Sequence, residues 1–257
     1  MKRGEKLIFL AGILLAAGAL LLAAWKLKGI YGEYKEGEDT YKELEEFVEK
    51  PEDRPEEETA NAAETPEDYL KVDFDRLKEM NPDVAAWIEI PALSVSYPVV
   101  QGTDNTYYLH HLFTGEYNSS GSIFLDYHNQ TDFTDKNTII YGHNMKNGSM
   151  FGTLSDYADQ SLWETYPYFY LYIPGHILKY QIFSCYAGSV GSEAYTYAFP
   201  GDTDFRDFLE RILSYAGYDT GIRPTETDRV VTLSTCVNSR RDYRYLVHGK
   251  LVGEDEI

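Results

Sequence analysis

Between residues 72 and 253 the chain is cut into short pieces. Runs rich in Val, Ile, Tyr and Phe (SVSYPVV, GSIFLDY, NTIIYGH, FYLYI, LKYQIFSCYAG, RVVTLST and YRYLVHGKLV) follow one another, and Gly, Asn, Asp and Pro separate them. The former suit the pleated, half-buried surface of a strand, and the latter suit turns. Many short strands at close spacing predict a mainly β, mostly antiparallel closed sheet, barrel or sandwich, with two or three helices outside. DFDRLKEM predicts a helical turn or two capped by Asp73. TDNTYYLHHLF predicts a helix starting at Asp104 or Asn105. DTDFRDFLERILSYAG sets Phe205, Phe208, Leu209, Ile212 and Leu213 on one face, so it predicts an amphipathic helix with a packing partner.

The 257 residues are enough for one globular domain with accessories. Ahead of the strand series lies an uninterrupted apolar run, residues 7–24, after the basic start MKRGEK. At ~1.5 Å per residue it spans roughly 27 Å as a helix, close to the ~30 Å hydrocarbon thickness of a bilayer. A cleavable signal peptide has a shorter apolar core, of about 7–15 residues. Trp25, Lys26 and Lys28 follow the run where interfacial anchors are expected. A retained transmembrane anchor over residues 1–28 is therefore expected, although small residues near its end leave cleavage open. Lys2, Arg3 and Lys6 slightly outweigh Lys26 and Lys28, which favours a cytoplasmic N-terminus and an extracellular body.

Residues 31–70 hold sixteen Asp and Glu against four Lys and Arg, a local net of −12 out of −19 for the chain. With few large apolar side chains, such a segment buries too little surface to offset its ordering entropy. Residues 29–71 are expected to form an acidic, flexible stalk, and residues 72–257 the functional domain. The acidic balance argues against nucleic acid as a partner.

Two cysteines are present, Cys185 and Cys236. An even count in an exported protein makes a disulfide one reading, but a domain of this size can manage without one. Cys185, inside YQIFSCYAG, has the setting of a small buried hydrophobe. Cys236 ends the strand-like VVTLSTC and enters the polar VNSRRD, so it is fixed yet reachable. A cysteine nucleophile needs a nearby histidine or cation and donors for the oxyanion of acyl transfer. Of the six histidines, His143 follows a strand and a glycine in TIIYGHN, the setting that mirrors Cys236. His110 and His111 fall in the expected helix, His128 and His176 in turns, and His248 in the last strand. Arg244 opens that last strand, which would pair with the cysteine strand as a hairpin. Its rigid, permanently charged fork suits an oxyanion partner better than Arg240 or Arg241 in the loop.

TLSTC with an arginine shortly downstream resembles the signature of the sortases, the membrane-anchored transpeptidases of Gram-positive bacteria. NPDVAAWIEIP, YPVVQGTDNTYYLHH, SGSIFLDY, DKNTIIYGHNMKNGSMFG and RYLVHGKL, in that order, are similar to class B in particular. The helix-bearing connection DFRDFLERILSYAG before TLSTC is also similar to that class. The resemblance implies an eight-stranded β-barrel with flanking helices. It implies Cys236 as nucleophile, His143 as general acid and base, and Arg244 as the residue that holds substrate and balances the oxyanion. Asn105, Leu109, Tyr141, Ser234 and, on a looser alignment, Tyr195 match positions lining the class B peptide groove. Val237 stands where the family often carries an acid, so a polar contact from there is not expected.

The implied reaction is cleavage of a sorting motif after threonine, of NP-x-T type, through a thioester that an amine resolves. The implied chemistry has a thiolate beside an imidazolium, each favouring the other's ionised form. The expected partners are surface proteins bearing the motif and a peptidoglycan or pilin amine. No ligand cluster has metal-site spacing, and no cofactor is expected. A cysteine endopeptidase and a non-catalytic membrane-tethered binding module remain the alternatives.

Overall fold

Strand formation follows the apolar and aromatic runs closely. The structure, a computed structural model, describes residues 3–51 and 69–256. In chain order the regular elements are α1 (Arg3–Leu44), β1 (Val48–Glu49), β2 (Lys71–Val72), α2 (Phe74–Met80), β3 (Val84–Ile90), β4 (Val95–Val100) and β5 (Ile123–Leu125). They continue with β6 (Asn137–Tyr141), α3 (Gln160–Thr165), β7 (Tyr168–Ile173), β8 (His176–Ser189), α4 (Asp202–Ser214), β9 (Val230–Val237) and β10 (Arg240–Glu256). Eight strands close a barrel in the order β10-β8-β7-β3-β4-β5-β6-β9. Six of its pairings are antiparallel; β4–β5 and β6–β9 are parallel. Parallel neighbours need long crossovers. The β6–β9 crossover carries α3, β7, β8 and α4, and the β4–β5 connection carries residues 101–122.

Side-chain alternation divides the core in two. Trp87, Ile88, Leu171, Ile182, Val231, Leu233 and Val247 belong to the main cluster. Phe183, Tyr186, Val230 and Leu246, from the same strands, meet Phe205, Phe208, Leu209 and Ile212 of α4 on the other side. The amphipathic helix expected over this segment thus covers one outer face of the barrel, and its Leu213 lies at the margin of the contact. The cap at Asp73 is also found, its carboxylate accepting from the Arg76 amide at 3.0 Å.

Two expectations change. The helix expected over TDNTYYLHHLF is a single 3-10 turn, Tyr107–Leu109. Asp104 Oδ1 accepts from the amides of Thr106 and Tyr107 at its start, but the chain then leaves the turn to form the His111–Tyr117 bridge. The backbone groups that would continue a helix are used in that bridge and in the Leu112–Glu116 bond.

The stalk expectation also differs from the structure over the described part of residues 29–71; residues 52–68 lie outside it. Helix α1 continues without a break from the apolar run to Leu44, and its last turns dock on the barrel. Gly37, Tyr41, Leu44 and Val48 are buried, with Tyr34 and Phe47 half-buried, while the glutamates between them are exposed. The acidic count conceals an apolar stripe at 3- and 4-residue spacing, which becomes amphipathic once a barrel face is there to receive it. β1 then pairs with β2, tying residue 48 to residue 72. The apolar half of α1 is different. Leu14, Leu15, Leu20, Leu21, Trp25 and Leu27 are all exposed. Among the described residues this is the one helix long and apolar enough to cross a membrane.

Candidate active site

Register alone brings two of the expected residues to one end of the barrel. β6 and β9 run parallel with Tyr141 opposite Ser234, so His143, just past β6, and Cys236, near the end of β9, come to the same end of the barrel. The Gly142 amide donates to the Ser234 carbonyl at 3.1 Å, and Asn144 Nδ2 donates to the Cys236 carbonyl at 2.6 Å. The turn after β6 is thus stitched to the end of β9. A side chain at Gly142 would strike the Phe151 ring 2.6 Å away, so glycine is required where the strand passes that ring.

Arg244 is the direct partner of Cys236 across the antiparallel β9–β10 ladder. The ladder is irregular between Arg240 and Arg244, and the Arg244 Nη1 donates to the carbonyls of Arg241 and Tyr243, both at 3.0 Å. The hairpin expected from sequence forms, and its bulge supplies the carbonyls that brace the guanidinium. Cys236 is half-buried and free. Cys185 is also free, 2% exposed, and burial pushes its thiol up to about 12. Cys185 pairs with Val247, and Val247 with Leu233, so β10 lies between the two cysteine strands. Two strand spacings of ~4.8 Å exceed disulfide reach.

His143 Nε2 donates to the Leu109 carbonyl at 2.7 Å, which leaves Nδ1 as the ring's lone-pair nitrogen. Burial holds the imidazole below the ordinary histidine pKa; the Leu109 carbonyl opposes this, and His110 and Arg244 reinforce it. The free protein therefore favours neutral His143. This direction runs against a resting imidazolium beside the thiol, because the site desolvates a charged ring and already holds a cation.

Four of the five groove candidates, Asn105, Tyr141, Tyr195 and Ser234, form one connected patch. Tyr195 OH lies 3.0 Å from Ser234 Oγ, and its ring stacks on Tyr141 with centroids 6.2 Å apart. Tyr141 OH donates to Asp126 Oδ2 at 2.8 Å, and Asn105 Nδ2 donates to the same oxygen at 2.8 Å. Leu109 contributes the carbonyl under His143. Asp126, which sequence reasoning passed over, is the hub. It is 4% exposed and also meets the amide and ring Nδ1 of His128. Burial raises its pKa, but these donors prevail and hold it below the usual carboxylate value. The available signal was an acid closing the very short apolar strand of SIFLDY. Asn144 was also missed, and nothing in the sequence marks it beyond its place beside His143.

His248 faces the interior of the packed barrel wall, away from the candidate site. It is fully buried, with Nδ1 2.9 Å from Thr232 Oγ1, which donates to Asn137 Oδ1. Asn137 Nδ2 in turn donates to the carbonyls of Ala194 and Thr196, fixing the turn that bears Tyr195. A cavity of about 730 Å³ lies elsewhere, between α1 and the barrel, beside Tyr41, Tyr97, Tyr168 and Tyr170.

A closed mixed barrel that carries a half-buried free thiol near a strand end, with Arg244 opposite it in the ladder and the His143 turn bonded to its carbonyl, is a scaffold suited to cysteine acyl transfer. Comparison with known proteins agrees. Residues 88–252 match the sortase domain family. The chain is 39% identical to sortase B of Listeria monocytogenes over 179 residues, covering 68% of this chain and 72% of that protein. Its fold is similar to sortase B from B. anthracis in complex with AAEK1, with a TM-score of 0.72, 33% identity and coverage of 87% of this chain and 99% of that one. A Staphylococcus aureus sortase B–substrate complex matches with a TM-score of 0.66 and 32% identity, over 70% of this chain and 84% of that one. The chain belongs to the sortase family, in its class B, and is a cysteine transpeptidase.

Proposed function

We propose that Cys236, His143 and Arg244 together cleave a sorting motif after its threonine and transfer the acyl group to a cell-wall amine. The observation that carries this reading is the β6–β9 register, with Cys236 paired to Arg244 on the other side. The Cys236 thiol passes its proton to neutral His143 as sulfur attacks the threonine carbonyl carbon. The negative oxygen of the tetrahedral adduct is balanced by Arg244. The adduct collapses, the C–N bond breaks, and the departing amine takes the proton from His143. The resulting thioester is attacked by the acceptor amine, which gives up a proton to His143 and restores the thiol on collapse. The ion pair forms during the reaction, which fits an imidazole held neutral at rest.

Asn105, Leu109, Tyr141, Tyr195 and Ser234 line the peptide groove in this reading, and an NP-x-T-type motif is its substrate class. That a sortase B of similar fold has been solved in complex with its substrate supports substrate binding on this barrel. Residues 1–28 act as a cytoplasmic tip and anchor, with the barrel on the extracellular side. Residues 29–71 link the anchor to the catalytic domain, residues 72–257, and dock on it through Tyr41, Leu44 and Val48.

Incubating the full chain in detergent with a fluorogenic NP-x-T peptide, with and without an added amine, tests the reading. Amine-dependent ligation is expected. Hydrolysis indifferent to amine indicates an endopeptidase, and binding without cleavage indicates a binding module; either refutes it.

A further inference from the structure

The docked end of α1 touches both segments that determine where His143 sits. The first is the 105–122 connection, which supplies the carbonyl under the imidazole. Tyr41, 6% exposed, donates its hydroxyl to the Gly121 carbonyl at 2.7 Å and lies 3.0 Å from Ser122 Oγ. Gly121 has φ +56°, and a Cβ there would stand 2.7 Å from the carbonyl oxygens of both Leu109 and Tyr108. Ser122 locks the same packing from its other side, its amide bonding Tyr108 O at 2.9 Å and its hydroxyl bonding His111 O at 2.8 Å. Leu109 O is the acceptor for His143 Nε2. One hydroxyl on α1 therefore clamps the segment that backs the acceptor of the imidazole.

The second segment is the turn that carries His143 itself. Asn147 Nδ2 donates to Glu38 Oε1 at 2.6 Å, and the Phe151 amide closes that turn on the His143 carbonyl at 3.0 Å. Between these two ties, the fully buried Asn118 donates to Glu33 O at 2.9 Å, and Gly37 is buried in the same contact. Three polar contacts thus run from one face of one helix to the two loops on either side of the histidine.

We infer that α1 is part of the catalytic unit, and that Tyr41 is a positioning residue which sets the orientation of His143 by holding Gly121 against Leu109. This rests on His143 acting as acid and base. Because α1 is also the helix that carries the apolar run, the chain's path out of the bilayer continues unbroken into the support of its imidazole. Removing the Tyr41 hydroxyl leaves the Gly121 carbonyl without its donor and frees the Leu109 acceptor to shift.

The test uses the full chain in detergent micelles, labelled with ¹⁵N-histidine. In the wild type the His143 Nε2–H gives a resonance protected from solvent exchange, assigned by its loss in His143→Ala. Tyr41→Phe is expected to lose that protection and to lower kcat about fivefold while KM stays within twofold. Leu44→Ala, a buried change on the same helix without a bond to the 105–122 segment, is the control. It is expected to lower Tm at least as much yet keep the resonance. If Tyr41→Phe keeps the protected resonance and the rate, or if Leu44→Ala removes the resonance equally, the inference fails. Wild-type turnover by His143→Ala would instead overturn the catalytic reading, and the exchange comparison would still report whether α1 positions the ring.

Discussion

Asn144 and Cys236 are joined side chain to backbone, the Asn144 amide donating to the Cys236 carbonyl at 2.6 Å. This bond crosses between the turn carrying the imidazole and the strand carrying the thiol. Asn144→Ala should lower kcat by roughly three- to tenfold, matching the loss of about 0.5–1.5 kcal/mol for one neutral hydrogen bond. KM should move little, because no groove residue is altered. Steady-state kinetics on the sorting peptide check it, and a change confined to KM would refute the role.

The two thiols should behave as different chemical groups. Cys236→Ala should abolish thioester formation, whereas Cys185→Ala should keep most activity and cost about 1–2 kcal/mol of stability through lost packing. In the native protein iodoacetamide should modify Cys236 alone. Cys185, buried and held protonated, should react only after unfolding. Mass spectrometry of the labelled peptides distinguishes the two.

Arg244→Lys should reduce kcat/KM by about 100-fold, a loss of ~2.7 kcal/mol of transition-state stabilisation. Lysine keeps the charge but cannot both bond the carbonyls of Arg241 and Tyr243 and present a fork toward the cysteine strand. A rate near that of the wild type would remove Arg244 from the mechanism.

In the proposed mechanism neutral His143 accepts the thiol proton, and its pKa lies below the ordinary histidine value, first because of burial. The acid limb of kcat/KM should therefore fall below the unperturbed histidine pKa of about 6.5, so that activity persists into mildly acidic solution. Adding a carboxylate nearby with His110→Glu should move that limb to higher pH, since the two rings stand 6.4 Å apart and His110 now acts to lower the pKa. A limb that does not move, or moves to lower pH, would count against His143 as the titrating group.

Acid stability should track His248. Burial pushes its folded pKa down to about 3, so below the unfolded value near 6.5 the unfolded chain binds a proton that the folded chain refuses. The stability that neutral His248 contributes is present above that unfolded value and is lost as pH falls from about 6.5 toward 3. The difference in unfolding free energy between wild type and His248→Gln should shrink across this window in denaturant titrations. A constant difference would show that His248 does not titrate with unfolding.

Much of this could be read from residues taken in order. The strand runs, the amphipathic spacing of Phe205, Phe208, Leu209 and Ile212, the cap at Asp73 and the apolar run all act through near neighbours in the chain. Cys236 stood out because it ends a strand, and His143 because it follows a strand and a glycine. Asp126 did not, because its value lies in partners 15 and 21 residues away, Tyr141 on β6 and Asn105 in the β4–β5 connection, that reach it only in the folded barrel. The docking of residues 33–48 was hidden for a similar reason. Its apolar stripe is thin and its acids many, so only a barrel face supplies the burial that orders it.

By itself, then, the sequence determined which segments are strands and which cysteine stands at a strand end, through local propensity and periodicity. It marked His143 and Arg244 as candidates through their positions and the family resemblance. Only the tertiary structure decided that β6 and β9 lie side by side in parallel, that β10 keeps the two sulfurs apart, and that Leu109 and Tyr41 stand behind the imidazole. Such relationships join residues 14 to 93 positions apart, and their energy appears only when the closed barrel removes water from between them.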